Sequence, residues 1–190
     1  MENINSIITN YFAHSISIFN QIKTLEILNL VELIDRTRQN GKTVYVAGNG
    51  GSATTATHFA TDIGVGSLAN FNAVRAVSLN DSSSNLTAIA NDLDYSNIIE
   101  QQLKLLGVQG DLLVVISASG NSINLLKAVE LANRIGVESY SLTGFNGGKL
   151  KEVTAGRNIH IETQIGSYGL VEDAHLSICH VVTECVRFIK

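Results

Sequence analysis

Twice in this chain a short apolar run ends in a cluster of glycine and serine and then gives way to a helical pattern. Thr43-Val44-Tyr45-Val46-Ala47 leads into Gly48-Asn49-Gly50-Gly51-Ser52, and Asp111-Leu112-Leu113-Val114-Val115-Ile116 leads into Ser117-Ala118-Ser119-Gly120-Asn121-Ser122. Apolar runs of this length, bounded by turn residues, read as strands buried on both faces. A strand, a tight turn and a helix form half of a βαβ unit, so the repetition predicts an α/β fold: a parallel sheet with helices on both faces, in three layers. Ala73–Leu79, Val137–Leu142 and Asn158–Ile161 supply further strands. Helices are predicted over Ala53–Ile63, around Leu86–Ala90, over Ile123–Ile135 and from about Val171 onward.

Residues 3–38 carry apolar side chains at helical spacing, from Ile7, Ile8, Tyr11 and Phe12 through Leu30, Val31 and Ile34. One or two long helices are predicted there, stopping near Asn40-Gly41. Their outer apolar face has too little to pack on within the chain and suits an oligomer contact. The 190 residues read as a single domain, with 1–40 as an N-terminal helical extension and 41–190 as the α/β core. With no proline in the sequence, sharp turns must rest on Gly, Asn, Asp and Ser.

Charge and composition exclude several partners. A net charge of -4 with scattered Lys and Arg gives no basic field for nucleic acid and no patch for a membrane surface. No apolar stretch approaches the roughly 20 residues that span a bilayer, and the first residues lack the pattern of a signal peptide. Cys179 and Cys185 fall in one predicted helix, about 9 Å apart along its axis, too far to bond to each other. Reduced thiols without a leader imply a cytoplasmic protein.

Ligands of parallel α/β sheets bind beyond the carboxyl ends of the strands, where both Gly/Ser loops fall. Glycine permits close backbone approach, and the start of the following helix offers unpaired N–H groups that attract an anion. Ser52, Ser117, Ser119 and Ser122 add hydroxyl donors, so the pair of loops reads as a cradle for a phosphate ester. Serine and glycine also make ordinary turns and helix caps, but two such clusters at consecutive strand ends favour a ligand. A Walker loop is excluded, because Arg36 stands where its first glycine is required ahead of Gly41-Lys42-Thr43. Gly48-x-Gly50-x-x-Ala53 fits a loose dinucleotide fingerprint, but no acidic residue follows about 20 positions on. No nucleotide cofactor is expected.

The chain resembles the sugar isomerase (SIS) domain family, and within it the phosphoheptose isomerases. The resemblance rests on Ala47–Ala53, His58-Phe59-Ala60, Leu86–Asp92, Gly110-Asp111 with the strand into Ser117–Ser122, Leu142-Thr143-Gly144, Gly147–Leu150, and Glu172-Asp173-Ala174-His175 with His180. It implies a flavodoxin- or Rossmann-like three-layer fold and a homotetramer. It also implies a sugar-phosphate substrate held by Asn49, Gly50, Gly51, Ser52, Asn91, Asp92, Ser117, Ala118, Ser119 and Ser122. The implied reaction is isomerisation of sedoheptulose 7-phosphate to an aldose phosphate through an enediol, in lipopolysaccharide or capsule biosynthesis. Acid and base roles fall to His180 paired with Asp62 or Glu172, and a zinc site, where present, to His58, Asp62, Glu172 and His180.

Asp62 stands where the family has a glutamate, Gly66 where it has an arginine, and Glu172 where it has a glutamine; a second arginine is missing from Gly166–Val171. His58 and Asp62 are one helical turn apart and share a face, which suits joint metal binding. Glu172 and His180 are about 12 Å apart along a helix, so they share an ion only by leaning together or across subunits. His175 points away from His180 and reads as a structural or interface residue. The alternative to an isomerase is a non-catalytic member that binds a phosphosugar or associates with a replication initiator. A carboxylate at position 62 favours the enzyme.

Overall fold

The structure, a computed structural model, describes residues 2–70, 73–154 and 156–189. In chain order it runs α1 (Glu2–Phe19), α2 (Thr24–Gln39), β1 (Thr43–Gly48), α3 (Gly51–Ile63), β2 (Arg75–Ser78), α4 (Ser83–Asp92), α5 (Glu100–Leu106), β3 (Leu112–Ser117), α6 (Ile123–Ile135), β4 (Glu138–Phe145), α7 (Gly148–Val153), β5 (Asn158–Glu162) and α8 (Tyr168–Phe188). Short 3-10 turns cover Val65–Asn70 and Tyr95–Asn97. All five strands are parallel, in the order β2-β1-β3-β4-β5.

Alternation along the strands builds the three layers. Val44 and Val46 of β1 and Leu112, Val114 and Ile116 of β3 pack with α2, α3 and α8 through Leu30, Ile34, Phe59 and Ile178. Tyr45, Ala47, Leu113 and Val115 face the other way, onto Leu103 of α5 and Leu125, Val129 and Ala132 of α6. β1 and β3 are buried along their whole length, as their continuous apolar runs require. β2 is an edge strand, shorter than the run Ala73–Leu79 suggests, and its Arg75 and Val77 are exposed. β4 extends past Leu142 to Phe145, because Thr143 pairs with Ser117 on one side and His160 on the other. α5 and α7 carry patterns too short for the sequence to mark.

His175, on the inner face of α8, is wholly buried, and its ring nitrogens make no hydrogen bond of good geometry among the described residues, the Thr143 backbone being the polar group nearest in effect. Burial lowers its pKa to about 4. The ring is neutral in the fold, whereas in the unfolded chain it takes up a proton near pH 6.5. Stability is therefore full above that value and falls as the pH drops toward 4, by about 3 kcal/mol for this group. Urea unfolding of the protein and of His175→Leu between pH 4.5 and 7.5 checks this; the variant should lose much of the pH dependence.

Candidate active site

The chain order of the strands reverses direction between β1 and β3, since β2 lies to one side of β1 and β3 to the other. That switch point opens a crevice at the carboxyl ends of the two central strands. A small cavity of about 160 Å³ occupies it, lined by Asn49, Ser52, Ile116, Ser117, Ala118, Ser119, Ser122, Tyr168 and Glu172. Hollows of more than twice that volume lie along the β2 edge and beside β5. The small one is distinguished by its convergent hydroxyls.

Ser119 Oγ accepts from the Asn121 amide at 3.3 Å within the loop's own turn. Ser122 occupies the N-cap of α6 and makes no capping hydrogen bond; its hydroxyl is 3.5 Å from that of Ser117. Ser117 Oγ accepts from the Gly120 amide at 3.1 Å, which folds the loop back on the strand end. Gly120 has φ +64, and a β-carbon there would collide with the Gly147 carbonyl oxygen. The β1 loop is held by side chains. Asn49 and Asn124 exchange two hydrogen bonds, of 3.0 and 2.8 Å, and the Tyr95 hydroxyl donates to Asn49 Oδ1 at 2.8 Å. Gly50 is the N-cap of α3 and Gly51 its first residue; of this loop Asn49 and Ser52 line the cavity, and Gly50 and Gly51 do not.

A second cluster forms where α3 meets α8. His58 Nε2 is 3.2 Å from Asp62 Oδ2 and 3.4 Å from His180 Nε2, and Asp62 Oδ2 is 4.0 Å from His180 Nε2. Two imidazoles and one carboxylate thus converge, about half exposed at the histidines. Tetrahedral zinc with bonds near 2.0–2.1 Å sets its ligand atoms about 3.3 Å apart, so this donor set fits such an ion with small adjustments. Glu172 is not drawn into the cluster. It stands two helical turns before His180, and its carboxylate lies against Gly51, where a β-carbon would be 2.5 Å from Oε2. A carboxylate is well placed there by the positive end of α3.

Of the other residues named from sequence, Asn91 and Asp92 do not line the cavity; they are exposed at the end of α4, with Asn91 Nδ2 donating to Asp92 Oδ1. Sequence reasoning missed Tyr95, Asn124 and Tyr168. The first two lie outside any glycine or serine run, and Tyr168 opens α8 three residues earlier than its apolar pattern shows. At Gly66, the space a side chain would enter holds Arg187, whose Nη2 would be 3.1 Å from a β-carbon there.

This arrangement is that of an α/β domain with a hydroxyl-lined cavity at the ends of its central strands and a histidine–carboxylate cluster where α3 meets α8. Comparison with known proteins gives the class a family. The SIS domain model matches residues 10–144. A phosphoheptose isomerase of Helicobacter pylori is 33% identical over 185 residues, 96% of this chain and 95% of that protein. Phosphoheptose isomerase 2 of Campylobacter jejuni is 35% identical over 194 residues, covering 98% and 94%. The structure of the phosphoheptose isomerase GmhA from Neisseria gonorrhoeae superposes with a TM-score of 0.87 at 28% identity, covering 98% of this chain and 100% of that one. The chain belongs to the SIS domain family, among its phosphoheptose isomerases.

Proposed function

We propose that this protein isomerises sedoheptulose 7-phosphate to the corresponding heptose 7-phosphate aldose, in the synthesis of surface carbohydrate. The observation that carries this reading is the meeting of His58, Asp62 and His180, drawn from helices 122 residues apart, beside the serine-lined cavity. The family relationship supplies the substrate class. Ser52, Ser117, Ser119 and Ser122 hold the phosphate, at the side of the cavity away from the Glu172 carboxylate that faces Gly51, and leave the other end of the sugar to reach α3 and α8. Asn49 and Ala118 border that path; the assignment of Asn91 and Asp92 to the sugar rests on the family pattern.

Ketose–aldose exchange needs a carbon-bound proton moved between adjacent carbons and an oxygen proton moved between their hydroxyl and carbonyl groups. Asp62 Oδ2 takes the carbon-bound proton to form the enediol and returns it to the neighbouring carbon. His180 Nε2 exchanges the oxygen protons. Glu172, against Gly51, orients the sugar between the two regions. His58, Asp62 and His180 would hold a zinc ion through these same atoms; Asp62 Oδ1 would then be the oxygen left to act as base, and the ion would supply the carbonyl polarisation that the His180 proton supplies without it.

Incubation with sedoheptulose 7-phosphate, with and without zinc, followed by NMR for the aldose, tests the reading. Phosphate-ester binding without turnover in either condition would overturn it in favour of the non-catalytic alternative. No helix among the described residues is long and apolar enough to cross a membrane, and we place the enzyme in the cytoplasm.

The tetramer implied by the family has a candidate surface. Ile4, Ile7, Ile8, Phe12 and Ile16 of α1 are each more than half exposed, and exposed large apolar side chains gathered on one helix suit a protein contact. Phe12→Glu combined with Ile8→Glu should shift the protein to smaller species in light scattering behind size exclusion, and an unchanged mass would remove α1 from the interface.

A further inference from the structure

Gly48, the last residue of β1, must carry the chain from the sheet into the β1–α3 loop. By then β1 has lost its neighbour on one side: β2 ends at Ser78, paired with Val46, and the last backbone bond between them runs from the Leu79 amide to the Val46 carbonyl. The side chain of Asn80 takes over. Its Oδ1 accepts from the Gly48 amide at 3.0 Å, and its Nδ2 donates to the Gly48 carbonyl at 3.0 Å. One carboxamide therefore satisfies both backbone groups of Gly48, as a peptide of a longer β2 would have done.

The same turn is tied to α3. The Asn80 amide donates to Ser78 Oγ at 3.1 Å, Ser78 Oγ lies 2.9 Å from Thr57 Oγ1, and Thr57 Oγ1 donates to Asp81 Oδ1 at 2.7 Å. Asn80 thus grips the start of the loop, while its own backbone is anchored to the helix at the loop's other end. His58 is the next residue along that helix, and Asn80 and His58 line one hollow.

We propose that Asn80 is a positioning residue that fixes the β1–α3 loop in its phosphate-binding shape, without touching the reacting carbons. This rests on the assignment of phosphate to the Gly48–Ser52 and Ser117–Ser122 loops. Asn80→Ala removes both bonds to Gly48. Asn80→Asp is nearly isosteric and can still accept from the Gly48 amide. It cannot donate to the carbonyl, and it sets a negative charge beside an anion cradle.

The test measures protection against thermal unfolding by inorganic phosphate, together with isomerase KM and kcat, for the parent, Asn80→Ala and Asn80→Asp. Weaker phosphate binding and a raised KM are expected, on the order of tenfold for Asn80→Ala and more for Asn80→Asp, with kcat at saturation little changed. Urea midpoints identify any variant that fails to fold, and the isosteric aspartate variant then carries the comparison. Parent-like phosphate binding and KM in the folded variants would overturn the role of Asn80. No protection of the parent by phosphate would instead overturn the cradle itself.

Discussion

Asp62→Asn is expected to lower turnover by about 10²–10⁴-fold, the range for loss of a general acid or base, while phosphate affinity stays at the parent's level. Asparagine keeps the shape of the side chain and a hydrogen-bonding oxygen, but it cannot take a proton from carbon. The separation of effects follows from the layout: Asp62 sits with His58 and His180 on the α3–α8 face, and the serines line a different cavity. NMR turnover and phosphate-dependent thermal shifts on the same preparation provide the measurement. Turnover at the parent's rate would remove Asp62 from the chemistry. Asp62→Glu, which restores the family's residue, should remain active, because the added methylene extends the same carboxylate toward the same open face.

Gly48→Ala should damage the other half of the site. A β-carbon at Gly48 would strike the Ser52 carbonyl oxygen and stand 2.5 Å from Ser52 C and 2.9 Å from Ala53 N. All three are backbone atoms in the first turn of α3, so no rotamer change relieves the clash. Either β1 or the start of α3 must move, and the segment where they meet carries Asn49 and Gly50 of the loop and Gly51 and Ser52 of the helix. A displacement of about 1 Å at a positioning element can cost about 10²-fold in activity, with overpacking adding about 1–3 kcal/mol of destabilisation. Phosphate should then protect the variant poorly against heat even where it folds. Parent-like protection would show that the loop tolerates the shift.

The sequence announced those parts of the fold whose burial is complete. β1 and β3 are covered on both faces, and their unbroken apolar runs could be read directly; α6 was bounded correctly at Ile123 and Ile135 because its periodicity and the Gly136 cap agree. β2 was read too long, since an edge strand ends where pairing ends and not where β-formers end. In the site, the serine loops were legible because glycine and serine cluster locally. The junction of His58 and Asp62 with His180 came from the family pattern, as it depends on how α8 crosses α3. Asn80, Asn124 and Tyr95 gave no signal: a single polar residue that bonds a distant backbone or amide group looks like any surface residue until the fold brings its partner.

The way α8 completes the structure also orders the events of synthesis. β1, second in the sheet, has both neighbours later in the chain. Ile178, Val182 and Val186 of α8 close the same core as Leu30, Ile34 and Phe59. A nascent chain that has emerged as far as β5 therefore holds a sheet with one apolar face partly uncovered, a state open to misassociation. His58 and Asp62 are already on their helix at that stage, but His180 is not yet beside them. His180 thus arrives on the same helix that covers the sheet, so a partly made chain lacks both the third member of the cluster and the cover over its core.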